Sequence, residues 1–331
     1  MNGFINGQAH GPIALKLLAS GMRTNALRTN ATLLKDEWKQ IDTQVLKAWQ
    51  GRLRGVASLK RRGLVYSFAN GLGRTVLEGQ NAGDVNDAEM SMDGLSRGQN
   101  DRVESGLTYF PLPIIHADFN FSIRHLSASR QGQLPLDTTM SAMKAIKIAE
   151  KQEKILFQGG ASFSFGGGTL YGYVDHPQRE TGTLCGAWDD SSVDGEDIVR
   201  DVLAMKQTML DNYQYGPFEL YIPSVYDTKM DEDYNPGSAN PQTIRARLLA
   251  IEGISAVTVI EQMTAIAGKE QVCLVQMNES TVRMVTGLPL QTVEWNEQGG
   301  MLFNFKIMTI DVPQIRADAN GRCGVAHFSE P

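Results

Sequence analysis

Cysteine, long apolar runs and catalytic signatures are what this chain of 331 residues has little of. Its three cysteines, Cys185, Cys273 and Cys323, are odd in number and far apart, which excludes a disulfide framework and a CxxC zinc pair and points to folding in a reducing cytoplasm. No window approaches about 18 consecutive apolar residues, and the leading residues lack a basic stretch followed by a long apolar one. Neither a membrane span nor a signal peptide is expected. The five histidines (His10, His116, His125, His176, His327) are scattered, with no HExxH, no GxSxG and no paired-ligand spacing. His116 and His125 flank a strand at polar positions and read as surface residues. Gly166, Gly167 and Gly168 are followed by Thr169 and Leu170 without the lysine of a phosphate loop, so this run reads as a turn and a short strand. Asp189 and Asp190, beside Trp188, are adjacent, and on a strand they would point to opposite faces. No enzyme, cofactor or metal is expected from these residues.

Hydrophobic residues make up 42% of the chain, enough to bury the core of one large domain or two smaller ones. The charge is polarised along the sequence. Residues 1–62 hold eleven Lys or Arg against Asp36, Glu37 and Asp42, a balance of +8, so the overall −6 leaves −14 for the rest. A basic leading segment of this kind is either a solvated arm or a surface for nucleic acid.

Residues 1–31 are rich in Gly, Asn and Thr and read as an extended arm that orders on a neighbour. From Thr32, Leu34, Trp38, Ile41, Val45, Leu46 and Trp49 recur at helical spacing, with Asp36 and Glu37 early and Arg52 and Arg54 late, as suits a helix dipole. Residues 74–106 contrast with this. They contain five glycines, seven acids, three arginines and no proline or aromatic residue, so they cannot pack a core of their own. They read as a two-stranded hairpin extending onto another molecule, or as a disordered linker.

The segment 111–160 is the most regular part of the chain: an apolar strand (PLPIIHADFNFS), a polar turn, then a long helix. Asp137, Thr138 or Thr139 can cap that helix, residues 140–157 contain no Gly or Pro, and Gly159 and Gly160 can end it in the left-handed conformation. Ala142, Met143, Ala145, Ile146, Ala149 and Leu156 are expected to bury most of its circumference. At about 100° per residue, Lys144, Lys147, Lys151 and Lys154 fall in one narrow stripe. That stripe is solvated surface, a docking edge for an acidic loop, or a face toward nucleic acid. Further on, a helix over 196–210, the strand PFELYI, a helix starting at Asn240, the strands AVTVI, QVCLVQM and TVRMVTG, and a long half-buried strand MLFNFKIMTIDVP complete an α+β pattern.

Several of these segments, in this order, resemble encapsulin-type shell proteins and tailed-phage major capsid proteins. WKQIDTQVLKAWQGRLRGV followed by GLGRTVLEG is similar to the opening helix with its Trp and Ile-Asp pair, leading through an Arg-rich turn to an extended loop. Pro111, Leu112, Phe119, Phe121 and Arg124 match the family strand and turn. Ala149, Glu153, Ile155, Phe157 and Gly159 stand where the family's spine helix ends, and Gly216, Pro217, Leu220 and Tyr226 where a Gly-Pro turn precedes a strand and short helix. The resemblance covers most of residues 33–313.

What it implies is the Hong Kong 97 (HK97) capsid fold, an α+β architecture. Its parts would be an N-terminal arm (1–32), the N-terminal helix and start of the peripheral domain (33–73), an extended loop (74–106), a peripheral domain (107–180) with its spine helix at 138–158, an axial domain (181–290), and a return strand with C-terminal tail (291–331). The implied function is a major capsid protein assembling into the icosahedral head of a double-stranded DNA tailed bacteriophage, in the virion after assembly in the host cytoplasm. Its partners would be itself in hexamers and pentamers, the packaged DNA, and portal, scaffold and decoration proteins, with no membrane. The alternatives are an encapsulin-type nanocompartment around cargo enzyme and, in another class, a soluble α+β enzyme.

Two site expectations follow. Acidic loop residues Asp84, Asp87, Glu89, Asp93, Asp101 and Glu104 meet the stripe Lys144, Lys147, Lys151 and Lys154 of a neighbour, while Arg23, Arg28, Lys35, Arg52, Arg54, Lys60, Arg61 and Arg62 face the lumen and its DNA. Some capsids of this fold join subunits through a loop lysine and an asparagine. Residues 75–143 contain no lysine, so that bond is not expected. About thirty residues before Leu33, absent from encapsulins that begin near their first helix, favour the phage capsid.

Overall fold

The computed structural model describes residues 3–5, 8–10, 35–82, 92, 105–124, 138–234, 242–297, 302–318 and 320–331. The chain divides into two compact units, one of residues 1–75, 112–156 and 283–313, the other of residues 76–111, 157–282 and 314–331.

The first unit starts with a two-stranded antiparallel hairpin, β1 (Gly3–Ile5) and β2 (Gln8–His10). Helix α1 (Lys35–Arg52) follows where the apolar spacing predicts it and buries Ile41 and Val45. Helix α2 (Gly55–Arg61) is short and ends on the consecutive cations Lys60 and Arg61, which suit the negative end of its dipole. Strand β3 (Val65–Ser67), β6 (Ile115–Ser122), β13 (Val282–Glu297) and β14 (Leu302–Ile315) form a sheet in the order β3-β13-β14-β6. β3 runs parallel to β13, and β6 antiparallel to β14. Phe119 and Phe305 stack at 5.1 Å, with Phe121 edge-on to both. Burying each such ring contributes about 1.5–3 kcal/mol. The expected half-burial of MLFNFKIMTIDVP is not found: β14 is buried at all but two positions, because it is an inner strand of the sheet.

Helix α3 (Thr139–Gln158) passes from the first unit into the second, one residue short at its start of the predicted 138–158. Gly159 ends it with φ +67°, and a side chain there would meet Asp175 and Gly172 at under 3 Å. Only glycine fits that closure. Phe157 then packs edge-on against Tyr173 and Tyr221.

The second unit is built on β9 (Glu180–Thr183), β10 (Phe218–Pro223), β11 (Ile254–Ile260), β12 (Gln271–Gln276) and β15 (Val325–Ser329), in the order β11-β10-β12-β15-β9. Helix α4 (Gly195–Asp211) is held by a capping box between Asp194 and Asp197 and buries Ile198, Val199, Val202, Met205 and Met209. These join Trp188, Phe218, Leu220, Leu274 and Phe328 in one core. After the four-residue α5 (Asp227–Met230), α6 (Ile244–Leu249) starts at the Thr243 cap, whose hydroxyl accepts from Ala246 N, rather than at the expected Asn240. Residues 291–331 were read as a return strand and tail. Their last strand, β15, is instead paired on both sides inside this sheet, with Val325, Ala326, His327 and Phe328 buried.

Candidate assembly surfaces

The exposed and buried faces of α3 are set by which positions find partners. Of the positions expected to be buried, Ala145, Ala149 and Leu156 are, while Ala142 and Ile146 are half-buried; Ile148, Gln152 and Glu153 are buried as well. Glu153 accepts the backbone N–H groups of Arg54 (2.8 Å), Val56 (3.0 Å) and Gly55 (3.1 Å), and so satisfies the open donors at the start of α2. Burial raises the Glu153 carboxyl above its ordinary range, although these three bonds and the Arg54 charge pull it down. Gln152 accepts from Trp49 Nε1 of α1 (2.5 Å) and donates to Asp311 of β14 (3.2 Å). Asp311 also accepts from Lys60 Nζ (2.5 Å) and Thr286 Oγ1 (2.8 Å). One polar network thus ties α1, α2, α3, β13 and β14 inside the first unit. Sequence reasoning missed it; the available signal was the charge of Glu153 on the apolar side of an otherwise regular helix.

The opposite face of α3 carries the lysine stripe. Lys147, Lys151 and Lys154 are exposed and Lys144 is half-buried. Glu150 lies at the edge of this stripe, 2.7 Å from Lys147 and 3.7 Å from Arg52. Met143 was expected on the buried side. It is 57% exposed and shares the outer face with Met140, because Gln152 and Glu153 occupy the inward positions. Residues Asp84, Asp87, Glu89, Asp93, Asp101 and Glu104, the expected partners of the stripe, lie outside the described residues.

The root of their loop is described. β4 (Val76–Ala82) and β5 (Ser105–Pro111) pair antiparallel from Val76–Pro111 to Ala82–Ser105, the hairpin stem predicted from composition. The glycine run beside it forms a second hairpin, β7 (Gly160–Phe165) and β8 (Gly168–Leu170), turning through Gly166 and Gly167 at φ +61° and +84°. A Cβ on Gly168 would lie 2.0 Å from the Tyr109 carbonyl oxygen, and one on Gly166 would lie 2.6 Å from Val76. The run read as a turn and a short strand is both, and it is also the seat of the loop stem, where glycine lets the two backbones approach.

Of the expected lumen cations, Arg23 and Arg28 lie outside the described residues, as does the side chain of Lys35. Arg52, Arg54 and Arg61 are exposed and Arg62 is half-buried. Lys60 differs. Its ammonium is committed to Asp311, itself 1% exposed, and lies 4.8 Å from the centre of the Trp49 ring. Its partner within the chain makes it a structural cation.

Chemistry of another kind is sparse. His116 is exposed on β6, 3.8 Å from Asp118. His176 and His327, read from the sequence as scattered, are both buried around Arg179, whose Nε donates to His327 Nδ1 at 3.1 Å. Burial, with the Arg179 charge adding to it, lowers both histidines to about 4. Burial pushes the Cys323 thiol up to about 12 and raises Cys273 as well; desolvation and then the Asp201 carboxylate push Cys185 up to about 12. All three therefore stay protonated near neutrality and are poor nucleophiles. Asp190 accepts from Ser192 N in a turn, and Trp188 donates to Asp201, so Asp189 and Asp190 are not on a strand. Among the described residues, no group of three or more His, Cys, Asp or Glu side chains converges to hold a metal. No described helix is long and apolar enough to cross a membrane.

The fold has clear relatives among solved structures. A virus-like particle from Pyrococcus furiosus superimposes with a TM-score of 0.63 at 14% identity, covering 89% of this chain and 100% of that one. The capsid of Myoviridae phage XM1 gives 0.60 at 12% identity, covering 94% and 98%. The capsid of a native GTA particle gives 0.60 at 12% identity, covering 84% and 91%. At these identities the likeness speaks for the fold, which is the α+β HK97-type capsid fold. No curated protein matches the chain in sequence. Residues 25–328 match the model of the family of unknown function DUF6260, to which this chain belongs.

Proposed function

We propose that this chain is a shell-forming protein, and specifically a major capsid protein that assembles into the icosahedral head of a double-stranded DNA tailed phage. The observation that carries the reading is the likeness in fold to particle-forming proteins over 84–94% of the chain. The chain's own parts agree with it: an acidic segment whose composition cannot make a core, set on a two-stranded stem, a buttressed helix with a cationic outer face, and a leading segment of +8. Repeated modest contacts related by symmetry then replace one strong interface. The role is structural, with self-association into hexamers and pentamers, DNA as non-specific content, and portal, scaffold and decoration proteins as further partners.

A second reading has its own support. The fold is as similar to the virus-like particle from P. furiosus as to the phage capsid, so an encapsulin-type shell around protein cargo is the alternative. Purified particles separate the two. Nuclease-protected DNA supports the phage head, whereas a single copurifying protein with no nucleic acid supports the compartment. The pairing of the acidic loop with the lysine stripe is tested by Lys147→Glu with Lys151→Glu; unchanged assembly and unchanged salt sensitivity remove it.

A further inference from the structure

The first unit carries a second cationic face, away from its helices. Thr286 points toward the helices, since its hydroxyl bonds Asp311, which also meets Lys60 of α2 and Gln152 of α3. Side chains alternate along a strand, so Arg283, Val285 and Gly287 point the other way. On that face the Arg283 guanidinium lies 4.4 Å from the Tyr66 ring centre, Tyr66 and Phe68 are 6.2 Å apart, and the Arg74 guanidinium lies 5.4 Å from Phe68. Gly287 makes room for this row: a Cβ there would meet the tip of Phe68 at 3.0 Å. The result is a ladder of cation, ring, ring and cation. It runs along β3, the end strand of the sheet, whose outer edge has no strand partner among the described residues.

The surrounding sequence is one-sided in charge. Residues 43–77 contain seven Lys or Arg and no acid, and Arg74 and Tyr66 are exposed. Residues 83–104 are the complement, with Asp84, Asp87, Glu89, Asp93, Asp101 and Glu104 against Arg97 and Arg102. That segment also holds Met90 and Met92 between its carboxylates. Arginine forks pair with carboxylates in two-point geometry, and thioethers pack well against aromatic rings. The ladder offers both kinds of contact, whereas the α3 stripe offers the point charges of lysines. The stripe and the ladder lie on opposite sides of the sheet, so one loop occupies one of them.

We propose that the acidic loop, residues 83–104, of one copy docks on the Arg283–Tyr66–Phe68–Arg74 ladder of a neighbouring copy. This rests on the shell-forming reading above. It leaves the lysine stripe of α3 to the contents of the shell.

The test is zero-length carbodiimide cross-linking of assembled particles, read by mass spectrometry on mixed isotope-labelled chains so that links between copies are identified. The reagent forms an amide between an amine and a carboxylate that already touch. Lys144, Lys147, Lys151 and Lys154 report the stripe in the unaltered chain; Arg74→Lys and Arg283→Lys, made separately, place an amine on the ladder while keeping its charge. The expected result is an intercopy link from position 74 or 283 to a carboxylate within residues 83–104. Links from the loop to the stripe lysines instead, or particles with no loop link to the ladder, overturn the proposal. Failure of every version to form particles overturns the shell reading itself, and the inference with it. As a second measurement, Arg74→Glu with Arg283→Glu should leave the circular dichroism unchanged and raise the concentration needed for assembly about tenfold, as two reversed ion pairs would. An unchanged assembly threshold also counts against the ladder.

Discussion

Neutralising Lys60 should destabilise the subunit. Asp311 is 1% exposed and accepts from Lys60 Nζ at 2.5 Å, Thr286 Oγ1 at 2.8 Å and Gln152 Nε2 at 3.2 Å. Lys60→Met keeps an apolar stem beside Trp49 but leaves the carboxylate buried with only two neutral donors. Stranding a buried charge costs about 3–5 kcal/mol, and the 30% exposure of the Lys60 side chain places this case near the lower end, at about 3 kcal/mol. Asp311→Asn loses charge-assisted bonds but keeps the shape and costs about 2 kcal/mol. The double variant leaves no unpaired charge, so its cost should fall below the sum by about 2 kcal/mol. Calorimetric melting of all four proteins at neutral pH measures this; at about 2 °C per kcal/mol, Lys60→Met should lower the midpoint by about 6 °C. Additivity within about 0.5 kcal/mol would mean that Lys60 and Asp311 do not interact, and Lys60 would return to the set of cations available to DNA.

Two further outcomes are expected. His176 and His327 titrate at about 4 when folded, below the ordinary 6.5, so the unfolded chain takes up protons first and stability falls as the pH drops from 6.5 through 4, by up to about 3 kcal/mol per histidine. Melting measured across that window should show the loss, and His327→Gln should flatten it. At the loop stem, Gly168→Ala forces a Cβ against the Tyr109 carbonyl and should cost about 1–3 kcal/mol and speed proteolysis within residues 83–104, while Gly51→Ala, which meets nothing within 4 Å in α1, should be neutral or stabilise by up to about 1 kcal/mol.

Local signals made much of the fold legible, and distant ones hid the rest. The spine helix and α4 lie within a residue of their predicted limits because capping residues and terminal glycines act within one turn of the chain. The loop stem was legible from a composition that cannot make a core. By contrast, β13 was read only as far as Gly287, although it runs to Glu297; a Cβ on the facing Gly71 would lie 2.1 Å from the Gly287 carbonyl oxygen, a close approach of distant segments that periodicity does not report. The inward placement of Gln152 and Glu153 depends on Trp49 and on the Arg54–Val56 backbone, about a hundred residues earlier, and no periodicity reports that. The burial of β15 likewise depends on its neighbours β12 and β9. Of the candidate surfaces, the lysine stripe was visible in the helical spacing. The aromatic row beside Arg74 and Arg283 was not, since it joins residues more than two hundred positions apart.

Electron microscopy of the full chain expressed alone tests the central claim most directly. The account predicts closed, hollow particles with icosahedral symmetry, whose averaged subunit shows the α3 helix and the β4–β5 stem reaching onto a neighbour. A monomer or small oligomer under all salt conditions, or open aggregates without symmetry, would contradict it.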